Sequence, residues 1–368
     1  MKILFLTENF GYGPVSTMCE IVTQFKKLYP NNEYIFWGNP NTAEICKKAN
    51  LFDNIIISDS YSRERINECK ELLLSADKIV AIETTDILIN LINMFELKNI
   101  YLIDNIFWLW DFLEEELKSI KKYFISTTMP VDENINRIAA DFKNLVKVGP
   151  IRTFREFKYC NKNNNLIISL GGAESHASDE NIVFRYYNNF LKALDDCDLK
   201  FGKIYVCGGK SVVNKLSQDV YKQNFIFTTL NHIDYLNLLY SCSHIICSPG
   251  MGNFNEISSS NIKTMFLLPI NYSQYYQYEH FKSLELDFYF DQFNFNVEIK
   301  KYLEESEGIR RVLEILNIYN MNSNITNMKN NIQSFINDTT FLDKRLSFYN
   351  ALDKHAIENI VNQILEED

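Results

Sequence analysis

The chain has 368 residues and a formal net charge of −10, with 37 basic against 47 acidic side chains. That balance, with no basic stripe, argues against a nucleic-acid partner, which is bound through clustered Lys and Arg. With 46% hydrophobic and 23% charged residues the composition is that of a folded globular protein, and the length favours two cores over one.

No stretch approaches the ~20 apolar residues of a spanning helix, and the N-terminal run MKILFLTENFG turns polar after Leu6, too soon for a signal sequence. Integral membrane insertion is therefore not expected, and a cytoplasmic location is. Eight cysteines contain no C-x-x-C pair, so neither a metal centre nor a disulfide framework is expected.

In chain order, KILFLT (2–7) is a compact apolar run followed by Gly11, Gly13 and an amphipathic segment from Val15 to Leu28. The unit recurs. YIFWG (34–38) precedes a helix from Thr42 to Ala49, NIIIS (54–58) one from Arg63 to Leu74, and KIVAIE (78–83) one from Asp86 to Phe95. NIYLID (99–104) precedes a predicted helix from Trp110 to Lys121, and YFIST (123–127) is the sixth strand. Short apolar strands alternating with amphipathic helices predict a parallel sheet covered on both faces. Ligands of such sheets sit beyond the carboxyl ends of the strands, here Glu8 to Gly13, Glu83 to Thr85 and Asp104 to Phe107.

The asparagine-rich segment at 151–165 suits a linker between an N-terminal domain (1–150) and a second wound domain (166–340). The second domain begins with NLIISLGGAES (165–175) and a helix from Asn181 to Leu194. KIYVCGG (203–209), FIFTTL (225–230), a helix from Ile233 to Ser241 and a buried strand at Ile245–Cys247 follow. Helices are predicted around 324–337 and 353–365, the C-terminal one (341–368) packing back toward the N-terminal domain. The fold class is α/β, two doubly wound Rossmann-like domains facing a cleft.

Eight of the 12 glycines fall in four pairs, 11/13, 171/172, 208/209 and 250/252, each after a predicted strand. Glycine there serves either tight turning or close backbone approach to a phosphate. The stretch Ser248-Pro249-Gly250-Met251-Gly252-Asn253-Phe254-Asn255-Glu256, with a short helix opening at Asn253, offers backbone N–H groups at a positive helix end. Beyond Pro269 comes a tail rich in amides and tyrosines that holds Asn271, Gln274, Gln277 and Tyr278.

These features resemble the GT-B glycosyltransferases, most nearly the UDP-N-acetylglucosamine transferase of peptidoglycan synthesis and related sugar-nucleotide enzymes. The resemblance implies a nucleotide-sugar donor, UDP-type favoured, a small-molecule acceptor, and no metal or further cofactor. It places the donor diphosphate against Gly250, Gly252, Asn253 and Asn255, with Gly171 and Gly172 facing it, and Gly11 and Gly13 are further candidates for binding the nucleotide-sugar. Glu256 would accept both ribose hydroxyls, although Asn253 and Glu256 also have capping-box spacing. Gln277 and Gln274 would contact the sugar.

The chain departs from that pattern in one respect. All five histidines lie beyond residue 150 and Pro14 stands near the position of a family general base, so no histidine base comes from the first domain. Carboxylates at strand ends, Asp104, Glu83 and Glu8, are the candidates instead, each also able to cap the next helix. The expected activity is glycosyl transfer of the hexosyltransferase type; alternatives are a nucleotide-sugar epimerase or hydrolase and a non-catalytic sugar-nucleotide-binding protein.

Overall fold

A computed structural model describes residues 1–7, 13–58, 61–97, 99–159, 163–171, 180–197, 199–291, 299–338 and 344–366. The chain divides into two compact units, Met1–Phe154 with Leu352–Asp368, and Arg155–Ala351.

The first unit holds seven strands: β1 (Lys2–Thr7), β2 (Glu33–Gly38), β3 (Asn54–Ile57), β4 (Lys78–Ile82), β5 (Ile100–Asp104), β6 (Lys122–Ser126) and β7 (Leu145–Val148). They pair in parallel in the order β3-β2-β1-β4-β5-β6-β7. Leu4 of β1 stands beside Ile35 on one side and Ile79 on the other. The inner strands are apolar without alternation because helices cover both faces. The chain moves outward from β1 to β3, then returns to lay β4 on the opposite side of β1. The crevice for a ligand therefore opens beyond the carboxyl ends of β1 and β4.

The second unit repeats the plan with β8 (Asn163–Ser169), β9 (Ile204–Cys207), β10 (Phe225–Thr228), β11 (Cys242–Cys247), β12 (Lys263–Phe266) and β13 (Phe288–Phe290), ordered β10-β9-β8-β11-β12-β13. Here the reversal lies between β8 and β11. Strand β8 starts inside the segment expected to be linker, β13 has too few residues to be recognised, and the region 341–368, expected as one C-terminal helix, holds two, Lys344–Ala351 and Ala356–Leu365.

The helix Ala356–Leu365 buries Ala356, Ile357, Ile360, Val361 and Ile364 in the core of the first unit, among Phe25, Tyr101 and Val148. Lys122 Nζ reaches Gln363 Oε1 at 2.9 Å. The helix Lys344–Ala351 belongs to the second unit, where buried Arg345 pairs with Asp287 at 2.9 Å and donates to Ile262 O.

One expectation is corrected. No α-helix spans Trp110 to Lys121; short 3-10 turns stand at Phe107–Leu109 and Glu115–Ser119. The carbonyls a helix would use are taken by side chains, Asn134 Nδ2 on Phe107 O and Trp110 O, and Arg137 on Trp110 O and Asp111 O. The amide- and tyrosine-rich tail, to which the sequence assigned no element, is helical. It is the helix Tyr272–Ser283 with Asn271 as its cap. Asn39 and Asn231 likewise cap helices, each accepting from the third residue on, so part of the asparagine content has a structural use.

Candidate functional site

In the second unit β11 runs into Ser248, Pro249 and Gly250, and the helix Met251–Ser258 begins at once with Gly250 as its N-cap. The helix starts two residues earlier than the sequence placed it, so Asn253 is not its cap. The capping-box alternative for Glu256 falls with that. Glu256 sits past the first turn and its side chain cannot close its own helix end.

The described glycines separate by what a side chain would meet. At Gly250, Gly252 and Gly13 an added Cβ would find nothing within 4 Å, and none of the three has a positive φ. Neither strain nor packing demands glycine there, and what the missing Cβ leaves is a bare backbone facing open space. Gly171 is different. Its φ is +62°, and a Cβ would stand 2.7 Å from Ser248 Oγ, so it lets the two loops at the β8/β11 reversal approach each other. At Gly208 an added Cβ would stand 3.2 Å from Leu170 Cβ.

The polar candidates separate in the same way. Asn253 Oδ1 accepts from Tyr235 at 2.9 Å and from Ser169 at 3.3 Å, while its Nδ2 donates to Ser248 O at 3.0 Å. This amide fastens the β8 end, the β11 loop and the helix His232–Ser241 together. Gln274 is also spent locally, its Oε1 accepting from Ile270 N at 3.1 Å and its N–H donating to Asn271 Oδ1. Asn255 and Gln277, 9% and 6% exposed, have no side-chain hydrogen bond to the described residues. A nearly buried amide in that condition is suited to a polar ligand.

Glu256 is 5% exposed, and His232 Nε2 lies 3.4 Å from its Oε1. Burial pushes the Tyr235 hydroxyl and the Cys247 thiol up, and the neighbouring Glu256 charge adds to both shifts. Neither His232 nor Tyr235 was singled out from sequence. The available signal was position, since both follow β10 at a carboxyl strand end.

In the first unit Asp104 closes β5. It is 1% exposed and accepts from Ile106 N, Trp110 Nε1 and Tyr123 OH, each at 2.7 Å. Burial raises its pKa, and those hydrogen bonds oppose the rise. Glu83, just past β4, is partly exposed, has a left-handed φ of 56°, and accepts from Asn105 Nδ2 at 2.9 Å. Glu8, Gly11, Gly172 and His176 lie outside the described residues. Among the described residues no cluster of His, Cys, Asp and Glu is suited to a metal, and no helix is long and apolar enough to cross a membrane.

The whole chain superposes on solved glycosyltransferases. MurG of Acinetobacter baumannii matches with a TM-score of 0.51 and 11% identity, over 99% of each chain. UGT89C1 of Arabidopsis thaliana, complexed with quercetin, matches with 0.53 and 11%, and the glycosyltransferase of kitacinnamycin with 0.53 and 10%, both again over 99% of each chain. The chain has the GT-B fold. At these identities the likeness is one of architecture. No protein-family model matches the sequence, and no curated protein matches it. In GT-B terms, the reversals at β1/β4 and β8/β11 are the carboxyl-end crevices of the two Rossmann-like halves.

Proposed function

We propose that the protein transfers a sugar, of the hexose type, from a UDP-type nucleotide donor to a small-molecule acceptor. The observation that carries this is the buried carboxylate of Glu256 on a helix that opens at bare Gly250 and Gly252 beside the β8/β11 reversal. A carboxylate accepts two hydroxyl donors at once, as a ribose diol requires, and a helix start offers N–H groups and positive potential to a diphosphate. LpCGTa and UGT89C1, both solved with UDP, share the fold at a TM-score of 0.52 each.

Within this assignment Asn255 and Gln277 take the donor's polar groups, and the backbone at Gly250 and Gly252 takes the diphosphate. The negative charge left on the departing nucleotide is stabilised by the helix dipole. Glu83 is the carboxylate that takes the acceptor's proton. Asp104 serves less well there, because three donors occupy it and almost none of it reaches solvent.

The test is thermal stability with UDP, UDP-glucose and UDP-N-acetylglucosamine. UDP should raise Tm by an amount that grows with its concentration, and Glu256→Ala should abolish the rise. No shift with any nucleotide would remove the assignment. Release of UDP from the sugar nucleotide without an acceptor would move it to a hydrolase.

A further inference from the structure

We propose that His232 is a positioning residue for the nucleotide, its imidazole holding the Glu256 carboxylate in the orientation that receives the ribose diol. This rests on the assignment of Glu256 to the ribose. Glu256 lies at 5% exposure beside Tyr235 and Cys247, neither of which supplies a cation. A charge in that setting is stable only with a donor directed at it. His232 Nε2 lies 3.4 Å from Glu256 Oε1.

The histidine is itself held in place. It is the first residue of the helix His232–Ser241, whose cap Asn231 accepts from Asp234 N at 2.9 Å and donates to Asp234 Oδ2 at 2.7 Å. Its side chain is 41% exposed, whereas that of Glu256 is 6% exposed. The ring therefore stands between a buried carboxylate and the solvent from which a ligand arrives. With one oxygen fixed by the imidazole, the carboxylate cannot rotate freely, and its remaining lone pairs keep one direction. The ligand class is a nucleoside diphosphate with an intact 2′,3′-diol.

A ligand-mutant cycle tests this by calorimetry with UDP and 2′,3′-dideoxy-UDP. Two hydroxyls donating to a carboxylate should make the wild-type protein prefer UDP by roughly a hundredfold, and Glu256→Ala should erase that preference. His232→Ala should cut the preference by roughly tenfold while changing affinity for the dideoxy ligand little. His232→Gln, whose amide nitrogen can occupy the position of Nε2, should restore most of it. If His232→Ala weakens both ligands equally, or leaves the preference intact, the positioning role is refuted and the ribose assignment stands. A wild-type protein that binds neither ligand, or does not distinguish them, refutes the ribose assignment and the role of His232 with it. Circular dichroism and Tm establish that each variant is folded, and if the alanine variant is not, the glutamine variant decides by matching or missing the wild-type preference.

Discussion

Asn105 Nδ2 donates to Glu83 Oε1 at 2.9 Å and to Thr17 Oγ1 at 3.2 Å, joining the ends of β4 and β5 to the helix Gly13–Leu28. Glu83 meets this amide from a left-handed backbone, φ 56°, while its own N–H continues the sheet ladder to Ile103 O at 2.9 Å. A residue with a Cβ held in that conformation costs about 1 kcal/mol or more, and such strain gathers at functional positions. Glycine removes the strain. Glu83→Gly should therefore be at least as stable as Glu83→Ala, the reverse of the usual order at a strand end, by up to about 1 kcal/mol in urea unfolding. Both variants should lose glycosyl transfer and keep the UDP-induced rise in Tm. An alanine variant clearly more stable than the glycine variant would mean that the left-handed backbone is not a source of strain.

The bare backbone of the second unit makes a separate prediction. Because an added Cβ at Gly250 or Gly252 meets nothing within 4 Å, Gly250→Ala and Gly252→Ala should fold with little change in Tm. At Gly252, inside the helix, alanine in place of glycine adds at most about 1 kcal/mol in stability. Both variants should nonetheless weaken or lose the thermal shift with UDP, since a methyl group would stand where the diphosphate approaches. Gly308→Ala is the contrasting control. Its Cβ would fall 2.4 Å from the Tyr272 ring, so it should lower Tm whatever ligand is present. Undiminished UDP shifts in both loop variants would remove the diphosphate from this backbone.

Much of this architecture was legible because a buried parallel sheet leaves an unambiguous trace. KILFLT, KIVAIE and NIYLID have few alternatives to an inner strand, and the amphipathic segments between them follow from the helical period. What the local pattern could not carry was anything decided by a distant side chain. The segment from Trp110 to Lys121 is predicted helical, yet Asn134 and Arg137 take the Trp110 carbonyl at its start. Asn253 and Asn255 are equivalent in sequence, but one amide is consumed in a loop-to-helix junction and the other has no partner among the described residues. Glu256 and His232 are 24 positions apart, and only the return of the chain along β11 brings them together.

Asp104 tests whether a carboxylate at a strand end is chemical or architectural. Asp104→Ala would leave the buried Tyr123 hydroxyl and the partly buried Trp110 indole N–H without their acceptor, at a cost of about 3 kcal/mol. Asp104→Asn keeps the volume but turns one acceptor into a donor among donors, so it too should lower Tm. Because these contacts lie within the first unit, the shift with UDP should survive in any variant that folds. An asparagine variant with wild-type Tm and no transfer activity would instead identify Asp104 as the base.

Asp291 gives a pH signature of its own. It is buried and accepts from Tyr319 OH at 2.6 Å, Asn331 Nδ2 at 2.8 Å and Tyr186 OH at 3.3 Å, but burial outweighs these bonds and raises its pKa to about 6. The ordinary aspartate value, near 3.9, applies to the unfolded chain. Between those values the native state holds a proton that the unfolded state has released. Its contribution to stability therefore grows as pH falls from 7 toward 4 and is lost as pH rises through about 6. The swing is on the order of 2 kcal/mol. Asp291→Asn, which resembles the protonated acid in shape and charge, should remove this component. Urea midpoints of both proteins from pH 4 to 7 decide the matter, because other titrating groups cancel in the difference. The wild-type protein should gain on the variant as pH falls, and a difference that stays flat or runs the other way would mean that Asp291 is ionised throughout.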